Sequence, residues 1–408
     1  MPLKILWVLP YLPWPTSSGG KTRQYHLLRT LAGAGHRITL LVQSKTALDE
    51  DARQALEPLL ERLIVLPRRP LRSATTLLAL AASPLPMLAS INGYAPALGK
   101  RFAELLDEPW DIVQIEHSYS FQPFEQALRQ AAQPFILTEH NVESALGGAT
   151  YDRFPAWLKP LVLLDQWRYR RWERRVMRQA ERVVAVTESD AVALGRIVGG
   201  PVPVVVNGVD CARYASVTPA HDSRRLLFIG NYEYPPNVDA VEWALDEVMP
   251  KVWRQCPEAT ITIAGHALPQ DWPQRWPDAR IEWHGFVPDL TVLQSRAALF
   301  FAPLRQGGGS KLKVLEAMAA GLPVVTTSQG VSGLAVTAGA EYDGGDDAEA
   351  LAGALLRQLA DPAGASAIGA AGRAYVRRAH DWAAAAGQLN AVYADCLAHR
   401  GREAQPCA

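Results

Sequence analysis

What this chain has little of narrows it first. It holds four cysteines, Cys211, Cys256, Cys396 and Cys407, scattered over 408 residues with no CxxC pair. That spacing supports neither a zinc site nor a disulfide framework, and a reducing, cytoplasmic compartment fits. Net charge is absent as well. The 41 Lys and Arg balance 41 Asp and Glu, so no nucleic acid or other polyanion is expected as a partner. No apolar run reaches the ~20 residues that span a bilayer. Ile5–Leu9 is apolar but too short for a signal peptide, and Pro10, Pro13 and Pro15 break the chain directly after it. The dinucleotide pattern GxGxxG is missing from the first loop. No DxD with a supporting carboxylate and His is present, so no metal site is expected.

What is present reads as α/β. The length suits two or three domains. Lys4 to Leu9 is an apolar strand, and the loop YLPWPTSSGGK comes next. Thr22 to Ala34 then has Leu27, Leu28 and Leu31 at helical spacing, Gly35 ends it, and His36–Val42 is a second strand. Strand, glycine loop, helix and strand make a Rossmann-like unit. Gly19 and Gly20 in that loop are expected to line a cleft, a plain turn being the alternative. Asp111–Glu116 and Phe135–Thr138 are further buried strands, ending in His117 and in Glu139-His140-Asn141. Polar residues at the C-terminal ends of parallel strands face the crevice where ligands sit. His140 is therefore a candidate hydrogen-bonding or acid–base group, with a capping role as the alternative. The same reasoning applies to His117 with less force.

Two stretches carry membrane questions. Leu71 to Ile91 is mostly apolar behind Arg68, Arg69 and Arg72, and reads as core rather than as a membrane patch. Asp165 to Arg182 is a basic helix, with Arg168, Arg171, Arg175, Arg178 and Arg182 on one face and Tyr169, Trp172 and Val176 on another. It either touches anionic lipid or packs on the sheet with its arginines solvated, and the second is the expectation.

The most informative stretch is APLRQGGGSKLKVLEAMAAGLPVVTT, Ala302 to Thr327. A buried strand runs into Gly307, Gly308 and Gly309. A helix comes after them over Lys311 to Ala320, with Leu312, Leu315 and Ala319 on one face. Gly321 stops it, and Val324–Val325 starts the next strand. Bare amides at a helix start attract an anion, and Arg305 and Lys311 flank the loop with full positive charge. Glu316 lies within the helix, too far along to cap it. It is either solvated or reserved for hydroxyl groups.

This stretch resembles the donor-site signature of glycosyltransferase family 4, the GT-B enzymes that use nucleotide-activated sugars. The family form x-E-A-M-A-x-G-x-P-V-V reads LEAMAAGLPVV here. The resemblance implies an α/β GT-B fold, two Rossmann-like domains facing a central cleft. It implies that Glu316 binds the ribose, and that Lys311 with the amides of Gly307, Gly308, Gly309 and Ser310 holds the diphosphate. Many members carry a second Glu eight residues before the first. Here that position is Gly308, as in a GGG-x-K subset, which puts the usual sugar-hydroxyl contact in doubt. Gly230 and Asn231 end the strand RLLFIG and open the loop NYEYPPN, where relatives carry a phosphate-binding cation. None occurs here before Lys251, so Arg305 is assigned that charge. Phe286 and Val287, in HGFVPDL, are implied to hold the base, and Gly330 and Val331 to sit near the diphosphate. His140, in TEHNVES, is implied to face the transferred sugar.

NGVD, Asn207–Asp210, resembles the family's interdomain marker. The expected division is residues 1–215, then 216–380, then a helix over 381–408 crossing back. The function implied is glycosyl transfer from a nucleotide-diphosphate sugar to a lipid-linked or glycan acceptor. Retention and independence from a bound metal come with it. No cofactor is expected beyond the nucleotide-sugar donor, and any membrane contact is expected to be peripheral, at the protein's surface. A sugar-nucleotide 2-epimerase on the same fold and a non-catalytic binding subunit are the alternatives.

Overall fold

The computed structural model describes residues 1–68, 85–93, 95–142, 144, 159–307 and 311–403. Gly308, Gly309, Ser310 and most of the apolar stretch 71–91 lie outside the described residues. The chain divides into two compact units. One is Met1–Val206 together with residues 385 onward, and the other is Asn207–Ala384.

The first unit is built on strands β1 (Lys4–Leu9), β2 (Arg37–Ser44), β3 (Arg62–Pro67), β4 (Ile112–Glu116), β5 (Ile136–Glu139) and β6 (Arg182–Ala185). Their order is β3-β2-β1-β4-β5-β6 and every pairing is parallel. Ile5 of β1 pairs with Ile38 on one side and Ile112 on the other. A parallel sheet is covered on both faces, which is why these strands read as continuous apolar runs. Helix α1 (Gly19–Gly33) buries Leu27, Leu28 and Leu31, each worth roughly 1.5–3 kcal/mol when fully buried. Arg23 and Gln24 are buried with them. Helix α2 (Lys159–Met177) buries Tyr169, Trp172, Glu173, Val176 and Met177. It stops short of Arg182, which opens β6 instead, because Val183 to Ala185 have sheet partners in β5. The basic helix is thus shifted toward the N-terminus from its expected span.

The second unit repeats the plan with β7 (Arg225–Asn231), β8 (Thr260–His266), β9 (Ile281–His284), β10 (Leu299–Ala302), β11 (Val324–Thr326) and β12 (Asp343–Gly344). The order is β12-β11-β10-β7-β8-β9, again all parallel. The ends of β7 and β8 approach so closely that a Cβ on Gly265, at φ +145°, would lie 1.7 Å from the Gly230 carbonyl oxygen. Only glycine fits there. Helix α3 (Pro235–Trp243) comes after β7, and α4 (Leu312–Ala319) after the glycine loop that leaves β10. A π-turn at Ala244–Val248 joins α3 to the next helical turns, Met249–Gln255.

The last helix, α5 (Trp382–Glu403), begins in the second unit, where Trp382 packs under Gly208, and continues in the first. There its Tyr393 hydroxyl donates to Gln114 Oε1, Gln388 accepts from the Val206 amide at 2.9 Å, and Arg400 pairs with Glu181. In each sheet the strand order reverses between the first and fourth strands, β1/β4 and β7/β10. Outside the carboxyl ends of such pairs a crevice forms in doubly wound folds.

Candidate functional site

In the first unit, β4 and β5 end in the same pair of residues, Glu116-His117 and Glu139-His140, and the two ends lie side by side. Glu116 is fully buried. Its Oε1 accepts from Gln114 Nε2 at 2.6 Å. Its Oε2 accepts from Gln24 Nε2 at 2.7 Å and faces His140 Nε2 at 3.0 Å. Burial pushes this carboxyl up, but His140, Arg23 and Gln114 outweigh it and hold it below the usual range. Burial holds the His140 imidazole below its usual range despite the Glu116 carboxylate. Near neutral pH the pair is therefore carboxylate and neutral imidazole. A carboxylate only accepts, so Nε2 carries the proton and Nδ1 keeps the lone pair. That lone pair lies on the side of Gly20, where a Cβ would come within 3.8 Å of Nδ1 and 2.9 Å of the Tyr11 hydroxyl. Gly20 and Gly19 form the first turn of α1, behind the N-cap Ser18.

His117 completes this cluster. It is a non-glycine residue at φ +66°, a strained backbone of the kind that gathers at functional sites. Its ring lies 4.2 Å from that of His140 and stacks on Tyr119 at 4.7 Å. Its Nε2 is 3.4 Å from the Tyr11 hydroxyl, and its buried Nδ1 has no partner among the described residues. Burial, with His140 and Arg23 nearby, holds it well below the usual histidine range. Arg23 is buried too, donates to the Val206 carbonyl at 2.8 Å, and is brought down by burial to about 10.

In the second unit Gly307, at the start of the glycine loop, is held from both sides. Gly307 sits at φ +118°, and its carbonyl oxygen accepts from Lys311 Nζ at 2.9 Å and Gln329 Nε2 at 2.5 Å. A Cβ at Gly307 would meet the Tyr234 hydroxyl at 3.1 Å, so the loops after β7 and β10 close on each other. Lys311 is 7% exposed, and burial lowers its ammonium pKa. A second lysine lies beside it. Lys313 Nζ donates to Asn237 Oδ1 and sits 4.9 Å over the Phe228 ring. Burial and the Lys311 charge bring it down to about 7. Asn237 in turn donates to the Asn231 carbonyl at 2.7 Å, tying the end of β7 to α4. Burial pushes the Glu316 carboxyl up, while a hydrogen bond from the Tyr214 hydroxyl and the charges of Arg213 and Lys313 oppose it.

Arg305, expected to meet phosphate, is engaged by Asp239 of α3, at 3.2 and 2.5 Å, with its guanidinium 4.9 Å from the Trp243 ring. Gly230 packs against Asn237 at the end of β7. The Gly330 amide donates to Thr327, and Val331 is buried in the core of the second unit. Phe286 is 74% exposed and Val287 half-buried, both beyond β9 at the sheet edge. Among the described residues no group of three or more His, Cys, Asp and Glu is placed to hold a metal ion. None of the described helices is long and apolar enough to cross a membrane.

Glu116, Gln24, Arg23, Tyr11 and Lys313 were not singled out from sequence. The repeat of Glu-His after IVQI and FILT was the signal that could have found Glu116. The polar pair Arg23-Gln24 on the buried side of α1 was a second.

Known proteins resemble this chain along most of its length. Residues 18–209 match the family described as Glycosyl transferase 4-like domain, and residues 223–361 the family described as Glycosyl transferases group 1. A glycogen synthase of Mycobacterium tuberculosis is 28% identical over 431 aligned positions, covering 99% of this chain and 96% of that protein. The lipopolysaccharide core biosynthesis mannosyltransferase LpcC of Rhizobium leguminosarum is 27% identical over 259, covering 58% and 72%. Among solved structures, HepE of Anabaena in complex with UDP-glucose superposes with a TM-score of 0.63 at 18% identity, covering 96% of this chain and all of that one.

Proposed function

Because this chain belongs to the group 1 glycosyltransferases, we propose that it moves a sugar from a nucleotide-diphosphate sugar to a lipid-linked or glycan acceptor in glycan assembly. The reading carries retention of anomeric configuration and no need of a bound metal, and it sets the reaction on the cytoplasmic side of a membrane. Its acceptor classes accord with relatives named for glycogen synthesis and lipopolysaccharide core synthesis. A donor of this type accords with the UDP-glucose held by a structure of the same fold.

The observation that carries it is the Gly307 clasp. A buried lysine rests on a loop carbonyl at the start of a helix, with a second, half-buried lysine two residues on. An arriving diphosphate offers Lys311 a better partner than a neutral carbonyl, since charge-assisted hydrogen bonds are roughly twice as strong. As the bond between the sugar's anomeric carbon and the diphosphate breaks, its electron pair moves onto the diphosphate oxygen. Lys311 and the helix start stabilise that growing charge. The new bond forms from the acceptor hydroxyl oxygen to the anomeric carbon, and the hydroxyl's proton passes to the departing diphosphate oxygen that has taken up the electron pair. His140 Nδ1, its lone pair fixed by Glu116, accepts a hydrogen bond from a sugar hydroxyl. Glu316 takes the ribose hydroxyls in place of the Tyr214 hydroxyl.

A thermal-shift series of nucleoside diphosphates tests the donor half. One base should raise the melting temperature of the wild type, by mass action worth about 2.7 kcal/mol at a hundredfold excess over Kd. Glu316→Ala should lose that shift. A wild type that answers to no nucleotide would sink the reading.

A further inference from the structure

Helix α2 carries an outer face that the transfer chemistry does not use. Leu161 and Leu163 are each 62% exposed, and Leu164 and Trp167 each 51%. They are four of the nine large hydrophobic side chains that the described residues leave exposed, gathered within about two helical turns. Clustered exposed apolar surface marks an interaction site, whereas scattered single residues do not. The same stripe continues in arginine. Leu164, Trp167, Arg171, Arg174 and Arg178 succeed one another at steps of three or four residues, all exposed. The Arg171 guanidinium lies 4.8 Å over the Trp167 ring. Among the described residues, Arg170, Arg171, Arg174 and Arg178 have no acidic partner. Arg168 and Arg175, by contrast, are engaged by Asp165 and Glu125.

We propose that this face of α2 docks on an anionic lipid surface. The argument for lipid is charge complementarity. The chain as a whole is neutral, so a stripe of unpaired arginines is a local feature. Guanidinium groups pair with phosphate, a tryptophan settles at the polar boundary of a bilayer, and leucines enter the acyl edge. The helix lies on the surface rather than across it.

The opposite face of α2 gives the docking a use. Trp172 Nε1 donates to the Ser118 carbonyl at 3.0 Å, and the Tyr169 hydroxyl lies 3.4 Å from Ser118 Oγ. Ser118 is the next residue after His117. The docking helix is thus the outer wall of the His117–His140 cluster, and a lipid-anchored sugar would be presented beside it. That use rests on the proposed transfer reaction, whereas the docking stands on the surface alone.

The test is flotation of the full chain with vesicles of phosphatidylglycerol and phosphatidylcholine in equal parts, against phosphatidylcholine alone, with no nucleotide present. The wild type should float with the anionic vesicles only. The triple change Arg171→Glu, Arg174→Glu and Arg178→Glu should abolish this, each charge contributing about fivefold or more in partition. Leu164→Ser with Trp167→Ser should weaken it at least tenfold. The three Arg→Lys changes should keep it. Unchanged melting temperatures and nucleotide shifts would separate these losses from unfolding and from failure of the donor site. Wild type that stays with the soluble fraction overturns the proposal. So does equal flotation of all variants, or a wild-type dimer that the Leu164 and Trp167 changes convert to monomer.

Discussion

The two units share one strand order and carry opposite chemistry at the same place. Where the first sheet reverses, buried carboxylates and imidazoles gather around Glu116 and His140. Where the second reverses, a buried and a half-buried lysine, Lys311 and Lys313, come directly after a glycine loop. The crevice comes from topology, whereas the ligand it suits comes from the few residues at the strand ends. Cationic ends suit a diphosphate. A group of acceptors and neutral imidazoles suits sugar hydroxyls.

Removing the charge that defines the second unit should have the largest effect. Lys311→Ala should lower kcat by about 10²–10³ if Lys311 meets the leaving diphosphate, as other losses of charge-stabilising donors do. A turnover assay in which KM alone changes would make Lys311 a ground-state binder and blur the contrast between the units.

The next effect tests what defines the first unit. Glu116→Gln keeps the shape but allows the new amide to donate toward His140 Nε2, so the proton moves to Nδ1. We expect kcat to fall about 10–100-fold, the range seen when partners that orient a histidine are lost in other sites. Nitrogen chemical shifts of the His140 ring should report the exchanged tautomer, which a merely structural role would leave alone. The wild-type stability curve has a sign as well. Folded His140 is held below its usual range, so between that value and the unfolded value of about 6.5 the unfolded chain binds the extra proton. Stability should therefore fall as pH drops through this window.

The smallest effect concerns Lys313. Folded, it loses its proton near pH 7, whereas the unfolded side chain keeps it to about pH 10.4. The unfolded chain binds the extra proton between these values, so the wild type gains stability as pH rises through them. Lys313→Met lacks that gain. Its melting temperature relative to wild type should be highest at or below about pH 7 and should decline by several degrees toward pH 10. A flat difference would mean that Lys313 is charged in the folded state and that the second unit carries one more full cation than described.

Much of the plan was readable in the sequence because it is written in short range. The strand, helix and strand within Lys4–Val42 and within Ala302–Val325 appear where periodicity and glycine place them, and Lys311 reaches the carbonyl of Gly307, four residues before it. What escaped depends on contacts far along the chain. Lys313 looks like any polar position on α4 until Asn237, 76 residues earlier, folds over it. Arg305 reads as a free cation beside the loop, and only α3 supplies the Asp239 that engages it. Glu116 reads as the last residue of a strand, because the Gln24 that fixes it lies 92 residues away. The basic helix reads too far toward Arg182 because arginines continue past its end, and sheet pairing with β5 decides the boundary.

The route of α5 sets an order of events. Gln114, which fixes one oxygen of Glu116, is itself fixed by Tyr393, 279 residues later in the chain. Domains fold as units during synthesis, the N-terminal one usually first. Here the first half to emerge cannot finish the support of its own histidine until α5 has been made. The cluster around Glu116 and His140 is therefore completed only after the whole second unit has been made. A truncated product ending before Tyr393 would keep the lysines of the second unit but leave Glu116 and His140 with an incomplete support.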